Sequence, residues 1–363
     1  MTQTIKTYTQ QFEGQQVQTV GMYGGKFCPF HKGHLYSILR ASAMVDKLYV
    51  VVSYIEERDR ELCKQAHLPY ITHQQRALWI RQATKDAPNI VVLYVEDVSM
   101  ELGAEHAWDE GARRIINAIP EKITHVFSSE SSYDYWFKRN YGADINHVII
   151  DEARDLFPIS ATKIRNEGVY VNWDMIPDVC RPFYVKKIAI VGVESTGKST
   201  IVRNLAKLFD TTYADEYGLV LCEYLGNGSD LLTDDHYKEI VYGHKHLEYQ
   251  ELRKANKVFF LDSEAIVSQY YAKMYQGHEL PFIESVIDTQ DYDLYIFLEP
   301  DVKWVADGYR TFNDAEKRNH TNNILKDMFI QRGIDFVSIS GTYEQRLQKC
   351  LTLVADLLKA PVA

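Results

Sequence analysis

Two histidines stand three residues apart behind a cluster of glycines: Gly24-Gly25-Lys26-Phe27-Cys28-Pro29-Phe30-His31-Lys32-Gly33-His34. Glycines let a backbone come close to a phosphate. A helix opening behind them would aim its free N–H groups and positive dipole end at the same point. His31 and His34 could both face that anion and donate hydrogen bonds to charge developing on its oxygens. The plainer alternative is a turn with two incidental histidines, and the position between a strand and a helix weakens it. Further on, Ile159-Ser160-Ala161-Thr162-Lys163-Ile164-Arg165 reads as a helix start. Ser160 is the expected N-cap, its hydroxyl meeting phosphates together with Thr162, Lys163 and the helix N-terminus. Arg165 adds an always-charged donor fork.

A third string, Gly192-Val193-Glu194-Ser195-Thr196-Gly197-Lys198-Ser199-Thr200, fits G-x-x-x-x-G-K-[ST] in full, with a strand before it and a helix after. Its backbone amides form an anion nest. Lys198 would reach the β- and γ-phosphates of ATP, and the Ser199 hydroxyl would ligate Mg²⁺. Such a loop needs an acidic partner at the end of a neighbouring strand. Asp262, closing Val258-Phe259-Phe260-Leu261-Asp262, is the candidate for the metal, with a simple strand-end cap as the alternative.

The elements that must hold these groups are legible as alternating short β-rich runs and longer helical stretches. Strands are expected at residues 17–23, 47–54, 90–95, 125–128 and 147–150, then at 187–193, 257–262, 294–298 and 336–339. The runs are nearly continuous in apolar residues, as in strands buried on both faces of a parallel sheet. Helices are expected, among others, over 34–44, 74–83, 200–209 and 235–256. Strand then helix, repeated, predicts α/β doubly wound domains. The segment 169–182 carries two prolines and no clear period, so the division is expected near residue 182, giving domains 1–182 and 183–363.

Composition narrows the function class. The 363 residues are 46% apolar and carry a net charge of −10, with no basic run longer than Lys186-Lys187, so nucleic-acid binding is not expected. Five scattered cysteines without a C-x-x-C pair argue against a disulfide framework or zinc site and fit reduced thiols in the cytoplasm. The first 16 residues lack an apolar signal-peptide core, and no apolar stretch is long enough for a bilayer.

The string around His31 and His34 resembles the H-x-G-H signature of the nucleotidyltransferase superfamily, and its fuller form resembles the nicotinamide mononucleotide adenylyltransferase branch. That branch commonly has arginine where this chain has Lys26, which keeps the charge but loses the planar fork. Ile159–Arg165 resembles the superfamily's second signature, I-S-x-T-x-x-R, about 125 residues on. The resemblance implies in-line attack of the mononucleotide's 5′-phosphate on the α-phosphorus of ATP, releasing pyrophosphate, with His31, His34 and Arg165 stabilising charge and Mg²⁺ assisting. It also implies that Asp97 and Trp108 line the nicotinamide pocket, where a tryptophan face stacks on the cationic ring; a core tryptophan is the alternative.

In the second half, residues 298–310 resemble a W-V-x-D-G-x-R element of ribosylnicotinamide kinase domains. That resemblance places Trp304 beside the nucleoside and Arg310 over the phosphates, with Arg318 as a second lid charge or part of a solvated helix. Asp215-Glu216-Tyr217-Gly218 resembles an E-Y-G-R element in which Glu216 and Tyr217 lie near the nucleoside; the family's arginine is replaced here by Leu219. Together the halves resemble the bifunctional nicotinamide mononucleotide adenylyltransferase / ribosylnicotinamide kinase family. Some members begin with a helix-turn-helix repressor module, for which the roughly 17 residues before the first strand are too few. The implied partners are ATP, nicotinamide mononucleotide, nicotinamide riboside and the product NAD, and homo-oligomerisation stays open. Leu219 keeps a second reading open, an active adenylyltransferase joined to a nucleotide-sensing module. A different mononucleotide in the first half and a non-catalytic nucleotide-binding regulator are the remaining alternatives.

Overall fold

The computed structural model describes residues 19–98, 103–226, 231–302 and 315–359. They form two compact units, divided along the chain between Cys180 and Arg181, inside the short 3-10 segment Asp178–Phe183. The first unit runs β1 (Val20–Gly25), α1 (Lys32–Ser42), β2 (Lys47–Tyr54), α2 (Glu56–Gln65), α3 (His73–Ala83), β3 (Ile90–Glu96), α4 (Ala104–Ala118), β4 (His125–Ser128), α5 (Asp134–Tyr141), β5 (Asn146–Ile149) and α6 (Ala161–Glu167). Its sheet is parallel in the order β3-β2-β1-β4-β5.

The second unit runs β6 (Lys186–Val191), α7 (Lys198–Leu208), β7 (Tyr213–Ala214), α8 (Tyr217–Tyr224), α9 (Asp234–Leu252), β8 (Val258–Asp262), α10 (Ala265–Gln276), α11 (Pro281–Ile287), β9 (Leu294–Leu298), α12 (Ala315–Gln331), β10 (Val337–Ile339) and α13 (Tyr343–Lys359). Its sheet, also parallel, has the order β10-β9-β6-β8-β7. Successive side chains of a strand point to opposite faces. Ile188 and Ile190 of β6 accordingly pack into one core with Phe260 and Ile296, while Ala189 and Val191 enter another with Tyr295 and Phe297. Both faces are covered, which is why the strands read as unbroken apolar runs.

Element ends differ from the sequence expectation for local reasons. Residues 17 and 18 lie outside the described residues. The strand expected to reach Val193 stops at Val191, because Gly192 at φ 142 already turns into the loop. Lys257, at φ 63, cannot begin β8. α1 starts at Lys32 because the His31 side chain caps it. β7, only two residues long, carries too little pattern to be foreseen. Among the described residues no helix is long and apolar enough to cross a membrane.

Candidate active sites

In the first unit the chain leaves β1 toward β2 and β3 and returns to β4 and β5 on the other side. Loops diverge at such a switch in strand order and leave a crevice at the carboxyl ends of the strands. A cavity of about 340 Å³ opens there, walled by Tyr23, Gly24, Lys26, Phe27, His31, Gly33, His34, Ser160, Thr162 and Arg165 among others. Both sequence signatures thus reach one cavity; Gly25 and Lys163 stand beside it without lining it. The Ser160 hydroxyl caps α6 by accepting from the Lys163 N–H at 3.1 Å.

The His31 ring caps α1, its Nδ1 accepting from the His34 N–H at 3.2 Å. A neutral ring that accepts at Nδ1 must carry its proton on Nε2. The two imidazoles stack at 3.6 Å, and the edge of Phe27 packs on His34 at 5.0 Å. A Cβ at Gly33 would lie 3.1 Å from His31 Nδ1, so a side chain there would displace the ring. Burial pushes His31 down to about 3, and the charge of Arg154 adds to the shift. Burial likewise holds His34 well below the ordinary histidine value, with His31 and Arg154 contributing. At neutral pH both rings are therefore uncharged donors, not cations.

The charge comes from elsewhere. Lys26 is pushed below its ordinary value by burial and by Arg58. Arg165 donates to the Cys28 carbonyl at 2.5 Å and to Thr162 Oγ1 at 3.0 Å, tying the second signature to the first. A fully buried pair, Arg76 and Asp59 (2.6 Å), braces the glycine loop, since Arg76 also donates to the Lys26 carbonyl at 2.7 Å. Arg58 extends this network to Asp97, which also accepts from Ser53 Oγ at 2.7 Å.

Asp97 and Trp108 do not line the cavity. Trp108 lies in an aromatic cluster, stacked on Trp136 at 5.7 Å and packed against Tyr133 at 5.2 Å; Tyr133 in turn is a cavity wall residue. Sequence reasoning missed the braces Arg58, Asp59 and Arg76 and the wall residue Arg154, none of which sits at a motif spacing.

In the second unit the loop after β6 opens on α7, with Gly197 at φ 87 as its N-cap. Gly192 is held at φ 142, and a Cβ there would lie 2.7 Å from the Leu298 carbonyl. Lys198 is buried, its ammonium turned back on the Val193 carbonyl at 3.2 Å, and Thr196 Oγ1 donates to the same oxygen at 3.0 Å. Asp262 ends β8 in register with Ile190 of β6. Burial raises its carboxyl, against the pull of Lys198 and the Ser199 hydroxyl. Its Oδ1 is buried without a protein partner. An orphaned carboxylate oxygen beside a serine hydroxyl and an ammonium fits a divalent cation shared with phosphate and water. Among the described residues no three His, Cys, Asp or Glu cluster as a self-sufficient metal site.

Two arginines hold this loop, and sequence reasoning singled out only one of them, Arg318. Arg346 of α13, fully buried, donates to the carbonyls of Thr196 (2.7 Å), Glu299 (2.6 Å) and Gly341 (2.9 Å) and pairs with Asp301. Arg318 of α12 is buried on the carbonyls of Ser195 (3.4 Å) and Val302 (3.3 Å), which gives it a bracing place where a lid charge was expected. Glu216 precedes α8 as its N-cap residue, and the Tyr217 hydroxyl donates to Glu239 at 3.3 Å. Trp304 and Arg310 lie outside the described residues.

Family models match both units: cytidylyltransferase-like over residues 22–167 and AAA domain over residues 187–346. The chain is similar to the trifunctional NAD biosynthesis/regulator protein NadR of Escherichia coli strain K12, at 34% identity over 350 residues covering 95% of this chain and 84% of the relative. The NadR protein of Salmonella typhimurium strain LT2 is likewise 34% identical, over 94% of this chain and 84% of its own length. Among solved structures, a NadR protein in complex with NR superposes with a TM-score of 0.77 at 25% identity, covering 96% of this chain and 98% of that one. A NadR protein with NAD and AMP-PNP gives 0.75 at 26%, over 95% and 97%. A nucleotidyltransferase-like unit and a P-loop kinase-like unit, in this order and over this length, have one common reading: the chain belongs to the NadR family of NAD-biosynthesis proteins.

Proposed function

We propose that the second unit phosphorylates nicotinamide riboside with ATP and that the first joins the resulting mononucleotide to AMP from a second ATP, giving NAD and pyrophosphate in the cytoplasm. The observation that carries this reading is the presence of two phosphate-binding loops, one at the carboxyl edge of each unit's own sheet.

In the first unit, an oxygen of the mononucleotide's 5′-phosphate attacks the α-phosphorus of ATP as the bond to the β-phosphate oxygen breaks. No protein nucleophile is required. His31, through its fixed Nε2–H, and His34 donate to oxygens on which charge builds, and their neutrality lets them do so without competing for the cations. Lys26 and Arg165 supply positive charge. Donors set in place before the reaction cost no reorganisation when charge develops. Asp97, just after β3, and Trp108, on α4, form the nicotinamide end.

In the second unit, the riboside's 5′-hydroxyl attacks the γ-phosphorus and ADP leaves. Lys198 would swing from the Val193 carbonyl to the phosphates, and the loop amides hold them. Ser199 and Asp262 would hold Mg²⁺, which shields phosphate charge when bound. Glu216 and Tyr217 face the nucleoside, and the resemblance assigns Trp304 to the nucleoside and Arg310 to the phosphates, while Arg318 steadies the loop from behind through the Ser195 carbonyl. The sensing alternative rests on Leu219 alone; the orphaned Asp262 oxygen beside Ser199 and Lys198 favours catalysis.

The test is a two-part assay on the purified chain with ATP and Mg²⁺. Nicotinamide mononucleotide should yield NAD, and nicotinamide riboside should yield mononucleotide and then NAD. NAD from the mononucleotide alone would reduce the second unit to a sensor or a kinase of another substrate; no product in either tube would overturn the whole reading.

A further inference from the structure

The first unit's cavity holds a cation that no motif accounts for. Arg154 stands in its wall, and its field bears on Tyr23, His31 and His34. Among the described residues no hydrogen bond or ion pair engages its guanidinium. The neighbouring Arg165, by contrast, is held by Cys28 and Thr162. Arg154 is carried on a turn closed by its own N–H to the Asp151 carbonyl at 2.9 Å and by the Asp155 N–H to Asp151 Oδ1 at 3.1 Å. Asp151 and Arg154 both adopt left-handed backbone, at φ 52 and 55. Asparagine and aspartate tolerate that region; for a long side chain it is strained, and such strain persists where the surroundings impose it, commonly at ligand sites.

Position decides which anion the guanidinium meets. The turn links β5 to α6, on the β4–β5 side of the switch at β1, and runs directly into Ser160 and Arg165. Arg58 and Asp97 occupy the opposite, β2–β3 side. Since the two histidines are neutral, they cannot balance the charge of a triphosphate tail. We propose that Arg154 binds the β- and γ-phosphates of ATP in the first unit and holds the pyrophosphate as it leaves. This rests on the adenylyltransferase reading above. The bond broken is the one between the α-phosphorus and the bridging oxygen, whose electrons stay with pyrophosphate, so the added negative charge accumulates on the group Arg154 faces.

The test compares Arg154→Ala and Arg154→Lys with the unaltered chain in both directions, NAD synthesis and its reversal by pyrophosphate. Loss of a charge-assisted contact of this kind predicts a rise of about tenfold or more in KM for ATP and for pyrophosphate. KM for nicotinamide mononucleotide should stay within about twofold, and lysine should recover part of the loss. Mononucleotide formation from the riboside and the melting temperature should not move. Unchanged KM values for ATP and pyrophosphate would overturn the proposal, as would equal rises for ATP and mononucleotide. Calorimetric binding of inorganic pyrophosphate, in a Lys198→Ala background that silences the other phosphate site, reads the contact without turnover. If the unaltered chain makes no NAD yet loses pyrophosphate binding on Arg154→Ala, the function reading fails while the site stands.

Discussion

Acidification should unfold the first unit through its two stacked histidines, and the size of the effect follows from their burial. His31 is pushed down to about 3 and His34 well below its ordinary 6.5. An unfolded chain protonates both near pH 6.5 while the folded chain refuses the protons. Stability from this source is therefore full above pH 6.5 and is lost as pH falls toward the folded values. Each histidine contributes a slope approaching about 1.4 kcal/mol per pH unit, or about 2.7 for the pair. The window between pH 6 and 5 lies above the ordinary carboxylate range of roughly 4. His244, which burial lowers to about 4, adds a slope of the same sign in the second unit. The assay is urea unfolding of the full chain from pH 8 to 5, followed by tryptophan fluorescence. Four of the five tryptophans, Trp79, Trp108, Trp136 and Trp173, belong to the first unit. A His31→Gln/His34→Gln variant should lose the slope in that window whatever its absolute stability. Equal slopes in the two proteins would refute the claim that the imidazoles are buried neutral.

Lys198→Ala should abolish mononucleotide formation from the riboside and leave NAD formation from mononucleotide intact; a parallel loss of both with the fold retained would refute separate sites. Gly192→Ala should remove ATP binding at the second unit, measurable by calorimetry, because a Cβ at φ 142 would sit 2.7 Å from the Leu298 carbonyl. Arg346→Met should destabilise the second unit by about 2–3 kcal/mol in urea melts, since it strips three carbonyls of their buried donor while Asp301, half exposed, can turn to water.

The sequence carried the two phosphate-binding strings and the strand–helix alternation because each is local: glycine spacing, cap residues and apolar runs are all read within a few residues. The wall position of His31, His34, Ser160, Thr162 and Arg165 follows from that alternation, since parallel strands deliver their following loops to one edge. The supporting arginines were not legible. Arg346 meets Thr196 from 150 residues away, and Arg76 meets Lys26 from 50. Nothing in either neighbourhood marks it as other than a helical surface residue. Trp108 illustrates the same limit. Its stacking partner Trp136 lies on the next helix, and only the folded chain shows that its face is taken.

The arginine braces have a consequence for how the second site comes into being. A loop that offers its amides to an anion must turn its carbonyls the other way, and here Val193, Ser195 and Thr196 give theirs to Lys198, Arg318 and Arg346. The two arginines sit on α12 and α13, which leave the ribosome well after the loop itself. During synthesis the nascent chain would hold a phosphate-binding sequence without a phosphate-binding shape. Nucleotide capture by this unit is thus timed by the arrival of distant helices, and a chain stalled before α13 should be blind to ATP even though every residue of the loop is already present.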